Sequence, residues 1–170
     1  VNTVVGNGGN RTFVLNEGNF QFGNASLSYY VSNSKTVFNK VYESKNGKKL
    51  GDVLQSMELI NGSYYLVVNN SSKIEIAEPT DFTSKSSISG LSSPRYIKQI
   101  SASKAYISDL YASAISIVNL SNNTVSGTIP CNGWTEKMHI YHGEVFVSRP
   151  SATNIYVING VSDLITDSIV

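Results

Sequence analysis

The chain has 170 residues, 41% of them hydrophobic and 15% charged, which is typical of a folded domain with its own core. Thirteen basic and twelve acidic residues leave a formal net charge of +1, with no cluster of lysines or arginines. This balance argues against nucleic acid or an anionic membrane surface as a partner. The one cysteine, Cys131, excludes an intrachain disulfide and a paired-cysteine metal site, and we expect it to be a small buried residue after a strand.

Short apolar segments separated by turn residues predict β-strands along the chain. Within the first 50 residues, strands are predicted at Thr3–Val5, Thr12–Glu17, Ala25–Ser32 and Thr36–Tyr42. The loop around Gly18–Phe22 is about five residues longer than its counterpart further along the chain. No segment keeps a capped helical period, so almost no helix is expected.

Two hairpins punctuate the later strands. Asn61-Gly62 is a strong two-residue hairpin signal, and His142-Gly143 occupies the equivalent place near the end of the chain. Between them, four strands are predicted at Tyr96–Ser101, Ala105–Leu110, Ala114–Leu120 and Thr124–Ile129.

These strand groups repeat with one period. Three sets of similar residues are each spaced by 41 and then 40 positions: Tyr65, Tyr106 and Phe146; Ile74, Ile115 and Ile155; Ile88, Ile129 and Ile169. A four-stranded unit repeating at about 40 residues is the signature of a β-propeller blade, because stacked blades cover faces that one meander leaves exposed. We therefore predict an all-β fold of four-stranded antiparallel blades, about four in this chain, at approximately 1–50, 51–92, 93–132 and 133–170. The competing β-sandwich does not explain the internal period.

Three segments carry a more specific resemblance: NGKKLGDVLQSMELINGSYYLVVNNSSKIEI, GLSSPRYIKQISASKAYISDLY and PCNGWTEKMHIYHGEVFVS. They resemble the YVTN-type β-propellers, and more closely the surface-layer-type, DUF5074-like extracellular lipoproteins of gut bacteria. The chain departs from the name-giving tetrapeptide, having YLVV, YISD and FVSR in its place. It also departs in length, since the family usually has seven blades. The chain is therefore a single propeller that closes alone, a partial propeller, or half of a homodimer that completes the ring.

The resemblance implies non-enzymatic capture of a small molecule at the cell surface. The candidate ligand is a corrinoid (cobalamin) delivered to an outer-membrane transporter of a Gram-negative bacterium, with the periplasm as the alternative location. Contact with the membrane is then expected only through a lipid anchor outside this sequence. Two alternatives remain open: a protein-interaction scaffold at the cell surface and, less favoured, a propeller lyase or hydrolase. No cofactor is expected.

The repeat register also predicts a binding site. Propellers bind ligands where loops enter the first strand of a blade and join its second strand to its third. Residues Gln55, Arg95 and Glu136 stand two positions before the aligned Met57, Ile97 and Met138. Loops after the second strands and neighbouring aromatic residues complete the predicted ligand-binding set, which adds Asn16, Glu17, Phe20, Asn69, Asn70, Asp109, Tyr111, Trp134 and Arg149. Each polar member has the alternative of being a solvated loop residue, and Trp134 that of packing between blades.

Catalytic and metal motifs are not recognised. His139 and His142 read HxxH, but on a strand and hairpin the two imidazoles face opposite sides, unlike the helical arrangement of zinc peptidases. No nucleophile elbow or phosphate-binding glycine loop stands in a strand-to-helix context. We therefore predict no catalytic residue and no metal ligand.

Overall fold

The computed structural model describes residues 10–170 and the backbone of residues 2–5. The sequence GNGG of residues 6–9, which is typical of a turn, lies outside the described residues. The described chain forms two compact units, Val1–Ile88 (unit 1) and Ser89–Val170 (unit 2). Each unit holds two antiparallel sheets of four strands in meander order. The predicted all-β fold with four four-stranded blades is thereby confirmed.

Blade 1 comprises β1 (Asn2–Val5), β2 (Arg11–Asn16), β3 (Ser26–Val31) and β4 (Thr36–Phe38), and is followed by helix α1 (Val41–Asn46). Blade 2 comprises β5 (Leu54–Ile60), β6 (Ser63–Val68), β7 (Lys73–Ala77) and β8 (Ser84–Ile88), with a 3-10 turn at Asn69–Ser71. Blade 3 comprises β9 (Pro94–Gln99), β10 (Lys104–Asp109), β11 (Ala114–Asn119) and β12 (Thr124–Pro130). Blade 4 comprises β13 (Met138–Tyr141), β14 (Glu144–Val147), β15 (Ile155–Asn159) and β16 (Leu164–Ile169).

Strand registers reproduce the sequence period. The isoleucines spaced by one period pair across the third and fourth strands of blades 2, 3 and 4, as Ile74–Ile88, Ile115–Ile129 and Ile155–Ile169. The aligned residues of the first strands pair equally, as Met57–Leu66, Ile97–Ile107 and Met138–Val147. One repeat in the sequence is therefore one blade in the structure.

Both predicted hairpins adopt the turn that their residues favour. Asn61 and Gly62 have φ angles of 46° and 73°, and His142 and Gly143 have φ angles of 48° and 82°. Two successive positive φ angles define the type I′ turn, whose twist matches that of the flanking strands. These turns set the register of β5 against β6 and of β13 against β14.

The predicted fourth strand of the first group was wrong at its C-terminal end. Strand β4 ends at Phe38, and Val41 and Tyr42 begin α1, which ends at Asn46 and is capped by Gly47 with φ 63°. Tyr42 is fully buried and donates a hydrogen bond of 2.9 Å from its hydroxyl to Glu75 Oε2. Burial of this side chain therefore overrides the strand-like sequence around it.

Each unit has its own core. In unit 1, Phe13, Tyr64 and Phe82 form edge-to-face and stacked contacts among buried aliphatic residues. In unit 2, the buried Tyr106, Ile115, Ile129 and Cys131 of blade 3 and its C-terminal end pack against Met138, Val145, Val147 and Ile158 of blade 4. The free Cys131 is buried as expected. In the described part of the chain, no helix has the length and hydropathy that crossing a bilayer requires.

The two faces of blade 4 differ. Val145 and Val147 are fully buried against blade 3, whereas Ile155 and Ile169 are 41% and 47% exposed. The equivalent pair of blade 3, Ile115 and Ile129, is only 0% and 3% exposed. Blade 4 thus presents apolar side chains at repeat positions that blade 3 buries.

Candidate functional site

Each unit has a candidate site at the loop end of its own blades, meaning the loops that join second to third strands and the residues that lead into first strands. Antiparallel order brings these segments to one edge of each sheet. In blade 2, the backbone amide of Asn69 donates to the Val53 carbonyl at 2.8 Å, and the backbone amide of Asn70 donates to the Asp52 carbonyl at 3.2 Å. The predicted Asn69 and Asn70 therefore lie directly beside Asp52, a residue that the sequence did not single out.

Asp52 is a buried carboxylate that is only half satisfied. The residue is 6% exposed, and its Oδ2 accepts hydrogen bonds from the backbone amide of Gln21 at 2.7 Å and from the side-chain Nδ2 of Asn70 at 2.6 Å. Its Oδ1 is buried and has no hydrogen-bond partner among the described residues. A buried charged oxygen without a donor costs free energy, and such an atom in a native fold calls for a physical explanation.

The backbone on either side of Asp52 is unusual. Gly51 has φ 141° and Val53 has φ 60°, a left-handed conformation that is rare for a β-branched residue. A Cβ atom on Gly51 would lie 2.6 Å from Ser71 Oγ, which itself accepts a hydrogen bond from the Asp52 amide at 2.9 Å. The segment leading into β5 is therefore held in a strained form by the β6–β7 loop, and strain of this kind clusters at functional sites.

The longer β2–β3 loop reaches this place through Gln21. Phe20 and Phe22, on either side of Gln21, are 62% and 70% exposed, and Glu17 is exposed on the same loop. Asn16 lies on the sheet instead, where its Nδ2 donates to Ser28 Oγ at 3.1 Å. The predicted Phe20 thus belongs to a loop that is hydrogen-bonded to Asp52.

Gln55 occupies a bulge in the first strand of blade 2. The pairing of β5 with β6 shifts between Leu54 and Ser56, and Gln55 is 5% exposed. Gln55 makes further interactions within the structure. The alternative of a solvated loop residue is therefore excluded for Gln55.

In unit 2, the other two members of the aligned position bind each other. Arg95 Nε lies 3.0 and 2.9 Å from the two carboxylate oxygens of Glu136, and Arg95 Nη2 lies 2.7 Å from Oε1. The two side chains are 21% and 17% exposed. Such a forked, partly buried ion pair fixes the orientation of both groups and joins blade 3 to the connection before blade 4.

Asp109 is a loop organiser. It is 1% exposed, and its carboxylate accepts hydrogen bonds from four backbone amides, those of Ser92, Ser93, Tyr111 and Ala112. Its own amide is bonded to Thr135 Oγ1 at 3.0 Å. The predicted Asp109 therefore stabilises the conformation of these loops, since its carboxylate is already bonded to backbone donors of the chain.

Tyr111 and Trp134 form an exposed aromatic pair on these loops. Their rings meet edge to face at 5.7 Å and 83°, and the residues are 63% and 42% exposed. Thr135, next to Trp134, is fully buried and donates from its hydroxyl to the Asp109 carbonyl at 3.1 Å. The two aromatic rings are therefore presented to solvent from an anchored backbone.

Arg149 is held by its surroundings. Its guanidinium carbon lies 4.1 Å from the centre of the Tyr156 ring, and its Nη atoms bond Asn154 Oδ1 and the Asn132 carbonyl. Its Nε is buried without a partner among the described residues. Among those residues, no group of three or more histidine, cysteine or acidic side chains could hold a metal ion.

Comparison with known proteins shows the family. The model of the family described as "Domain of unknown function (DUF5074)" matches residues 10–170. The chain belongs to the DUF5074 family. No curated protein sequence matches this DUF5074 chain.

Solved structures similar to this DUF5074 chain share its fold at low identity. Hydrazine synthase of Kuenenia stuttgartiensis is 12% identical with a TM-score of 0.73, over 94% of this chain and 46% of the other. The WD40 β-propeller domain of Doa1 is 8% identical with a TM-score of 0.66, over 88% and 51%. The dihydro-heme d1 dehydrogenase NirN in complex with DHE is 14% identical with a TM-score of 0.62, over 85% and 34%. The chain thus has a β-propeller-type fold and spans about half, or less, of each of these proteins.

Proposed function

We propose that this DUF5074 protein is a non-enzymatic binding protein that captures a small molecule at the loop end of its blades. One observation carries the proposal: the buried Oδ1 of Asp52 has no donor among the described residues. Asp52 nevertheless precedes the strained residue Val53 and lies where the segment leading into β5 meets the loops that carry Gln21 and Asn70. A ligand that supplies an N–H or O–H group to this oxygen would recover the lost hydrogen bond. Because Oδ1 is buried, a ligand reaches it only when part of its surroundings moves aside.

The other side chains of the loop end support binding more than catalysis. Two of the three acidic residues that the sequence placed there, Asp109 and Glu136, are already engaged by backbone amides and by Arg95. An exposed ring at Phe20 in unit 1, and separately the exposed rings at Tyr111 and Trp134 in unit 2, offer flat apolar surface at low entropic cost. Amide-rich loops combined with such rings suit a large neutral ligand.

A corrinoid is the specific candidate that we propose. Its periphery carries amide groups, which can donate to Asp52, and its ring faces offer area for aromatic contacts. The family resemblance supports this choice.

Calorimetric titration with cobalamin and cobinamide tests the proposal. We expect measurable heat at high micromolar concentration. We also expect about a tenfold loss of affinity in Asp52→Asn, because the side-chain amide has one oxygen in place of two: either its NH2 donor replaces the acceptor Oδ1, or its oxygen is displaced from the position of Oδ2. Asp167→Asn, an exposed acidic residue of blade 4, serves as the matched control and should bind normally. Absence of heat from both ligands would reject the corrinoid, and unchanged affinity in Asp52→Asn would reject the location.

We propose that the protein acts at the outer-membrane surface of a Gram-negative bacterium, through a lipid anchor and next to a transporter, with the periplasm as the alternative. The proposal rests on the family resemblance alone. Protease added to intact cells should degrade the protein if it is on the surface. Protection until the outer membrane is permeabilised would place it in the periplasm instead.

A second role, as an interaction module, is favoured by the exposed face of blade 4. Ile155 and Ile169 stand at positions where blade 3 packs against its neighbour, so this face suits a further blade of the same kind. We propose a second copy of the chain as its partner. Sedimentation velocity should show a concentration-dependent dimer that Ile155→Glu disrupts. A monomer at all concentrations would contradict the dimer, and recovery of a transporter or another surface protein by pull-down would replace it.

A further inference from the structure

Unit 1 contains a cavity away from the loop end. It has a volume of about 420 Å³ and lies between β3 and β4 of blade 1, helix α1 and the β7–β8 loop. This volume falls within the ~300–1,000 Å³ that is usual for small-molecule sites. Four of the nine lining residues lie in the connection between β4 and β5, residues 39–53, which is far longer than the connection between β8 and β9, residues 89–93. Long connections inside compact domains commonly serve a function.

One wall of the cavity is aromatic. Phe38 stacks on Tyr29 with ring centres 4.8 Å apart and an interplanar angle of 24°, and Tyr29 contacts Phe82 at 5.9 Å. Phe38 is 43% exposed, so part of its ring is open to the cavity. The Arg11 guanidinium lies 5.5 Å from the centre of Tyr29 and 6.0 Å from that of Phe82, which steadies both rings from the other side.

The rim of the cavity carries a neutralised pair of charges. Lys45 Nζ lies 2.6 Å from Asp81 Oδ2, and both side chains are 44% exposed. Among the described residues that line the cavity, these two are the charged ones. The hydrogen bond from Lys45 is the main reason that the pKa of Asp81 falls to about 2, so Asp81 is a carboxylate at physiological pH. The rim thus offers a strong donor and a strong acceptor side by side, without net charge.

Both walls are rigidly connected. Asn46 Nδ2 at the end of α1 donates to the Phe82 carbonyl at 2.9 Å, and Asn46 Oδ1 accepts from the Ser84 amide at 2.8 Å. Asp81 is fixed in turn, because its Oδ1 accepts from the Thr83 amide at 3.0 Å and from the Thr83 hydroxyl at 2.8 Å. Phe82 has φ 64°, a strained conformation for an aromatic residue that this network maintains. The cavity is therefore preformed.

We propose that this cavity binds a neutral saccharide, with one face of the sugar ring against Phe38 and its hydroxyls on Lys45 and Asp81. A sugar ring has an apolar C–H face that packs on an aromatic ring. Each sugar hydroxyl both donates and accepts, which matches an adjacent donor and acceptor. A phosphorylated or cationic ligand gains nothing from a rim of zero net charge, and a purely apolar ligand would desolvate the Lys45–Asp81 pair without hydrogen bonding to it.

The first test is a glycan array of neutral, N-acetylated and acidic sugars probed with the full chain. The second is saturation-transfer NMR with the methyl glycosides of glucose, galactose and N-acetylglucosamine at about 10 mM. We expect neutral sugars to bind, with saturation transferred mainly to the ring C–H protons. Phe38→Ala should weaken binding about tenfold by removing the exposed ring.

Two further variants keep the outcome interpretable. Lys45→Met retains the aliphatic stem on an exposed helix position, so the fold is kept, and it should lose binding by removing the donor. Tyr141→Ala removes an aromatic residue of blade 4 that is 59% exposed, and should bind as the unaltered chain does. The proposal is overturned if no neutral sugar binds, if only acidic glycans bind, or if binding survives in both Phe38→Ala and Lys45→Met.

Discussion

At the scale of one residue, Asp52 and its neighbour have features that lower the stability of the folded protein. Its Oδ1 is buried without a donor, and the next residue, Val53, holds a left-handed backbone with φ 60°. Both features destabilise the folded chain, and neither is required by the sheet of blade 2. A residue that costs stability and lies among loops is more readily explained by binding than by folding.

We therefore expect Asp52→Asn to stabilise the protein while weakening its ligand binding. Removing a buried, half-satisfied charge should raise the free energy of unfolding by about 1–2 kcal/mol, because the neutral amide is cheaper to bury. Urea denaturation of the two proteins measures this difference. A variant that is less stable than the original chain would show that Asp52 serves the fold.

The predicted site could be derived from the sequence only in part, for reasons that differ between residues. The repeat register correctly aligned Gln55 with Arg95 and Glu136, but a register cannot show that the last two bind each other. The same alignment, read five positions before Met57, Ile97 and Met138, gives Asp52, Ser92 and Gly133. That single acidic member was the available signal for Asp52, and only the structure shows that its carboxylate is buried.

At the scale of elements, helix α1 is attached to blade 2 through Glu75. This buried carboxylate on β7 accepts from the Tyr42 hydroxyl at 2.9 Å and from Lys73 Nζ at 2.6 Å, and Ser84 Oγ of β8 lies 3.3 Å away. Burial alone would raise the pKa of Glu75, but the hydrogen bonds and charge of Lys73, aided by Tyr42 and Lys48, outweigh it and hold the pKa below its ordinary value of 4.5. Ionised Glu75 thus fastens α1 to the sheet.

A lowered pKa in the folded state gives this contact a defined pH dependence. Its contribution to stability is fully present above pH 4.5 and is lost as the pH falls through the pKa of the folded state. Glu75→Gln should therefore lower the free energy of unfolding by about 1–3 kcal/mol at neutral pH, and by less at an acidic pH well below 4.5. Denaturation at the two pH values checks this, with the exposed Glu144→Gln as control. An equal loss at both pH values would contradict a role for the charge.

The elements themselves were largely predictable, with one instructive exception. Strands at a constant period were found because each blade repeats the same alternation of apolar residues and turn signals. Helix α1 was missed because its residues Val41 and Tyr42 continue the strand-like segment that begins at Thr36. Tertiary contacts of Tyr42, which no local pattern expresses, determine where β4 ends.

For the whole molecule, tyrosines dominate the expected response to alkali. Burial raises the pKa of Tyr64 and Tyr65, raises that of Tyr42 to about 12 together with the Glu75 carboxylate, and raises that of Tyr106 together with Asp163. Because the pKa of each of these tyrosines is raised in the folded state, its neutral hydroxyl makes its full contribution to protein stability below pH 10. This contribution is lost as the pH rises through the pKa of the folded state.

We therefore expect the free energy of unfolding to fall steeply above pH 10. Chemical denaturation at neutral pH and at about pH 11 measures the fall, and absorbance of tyrosinate reports the titration itself. The variant Tyr42→Phe should show a smaller fall than the original chain, whereas Tyr141→Phe, at an exposed position, should behave like it. Identical falls in all three proteins would assign the effect to other groups.

The meander order of the sheets has a further consequence, for the rate at which the chain folds. Every ladder in the described structure joins strands that are neighbours in sequence, so each pairing closes only a short loop. Pairing between neighbouring strands favours faster folding than the non-local pairing of other all-β chains, and nucleation can begin in any blade. Each blade also carries the information for its own register within about forty residues, as the repeated isoleucine pairs show. Duplication or loss of one such segment would leave the pairing of the others intact, which is how a family of this kind can change its number of blades without inventing a new fold.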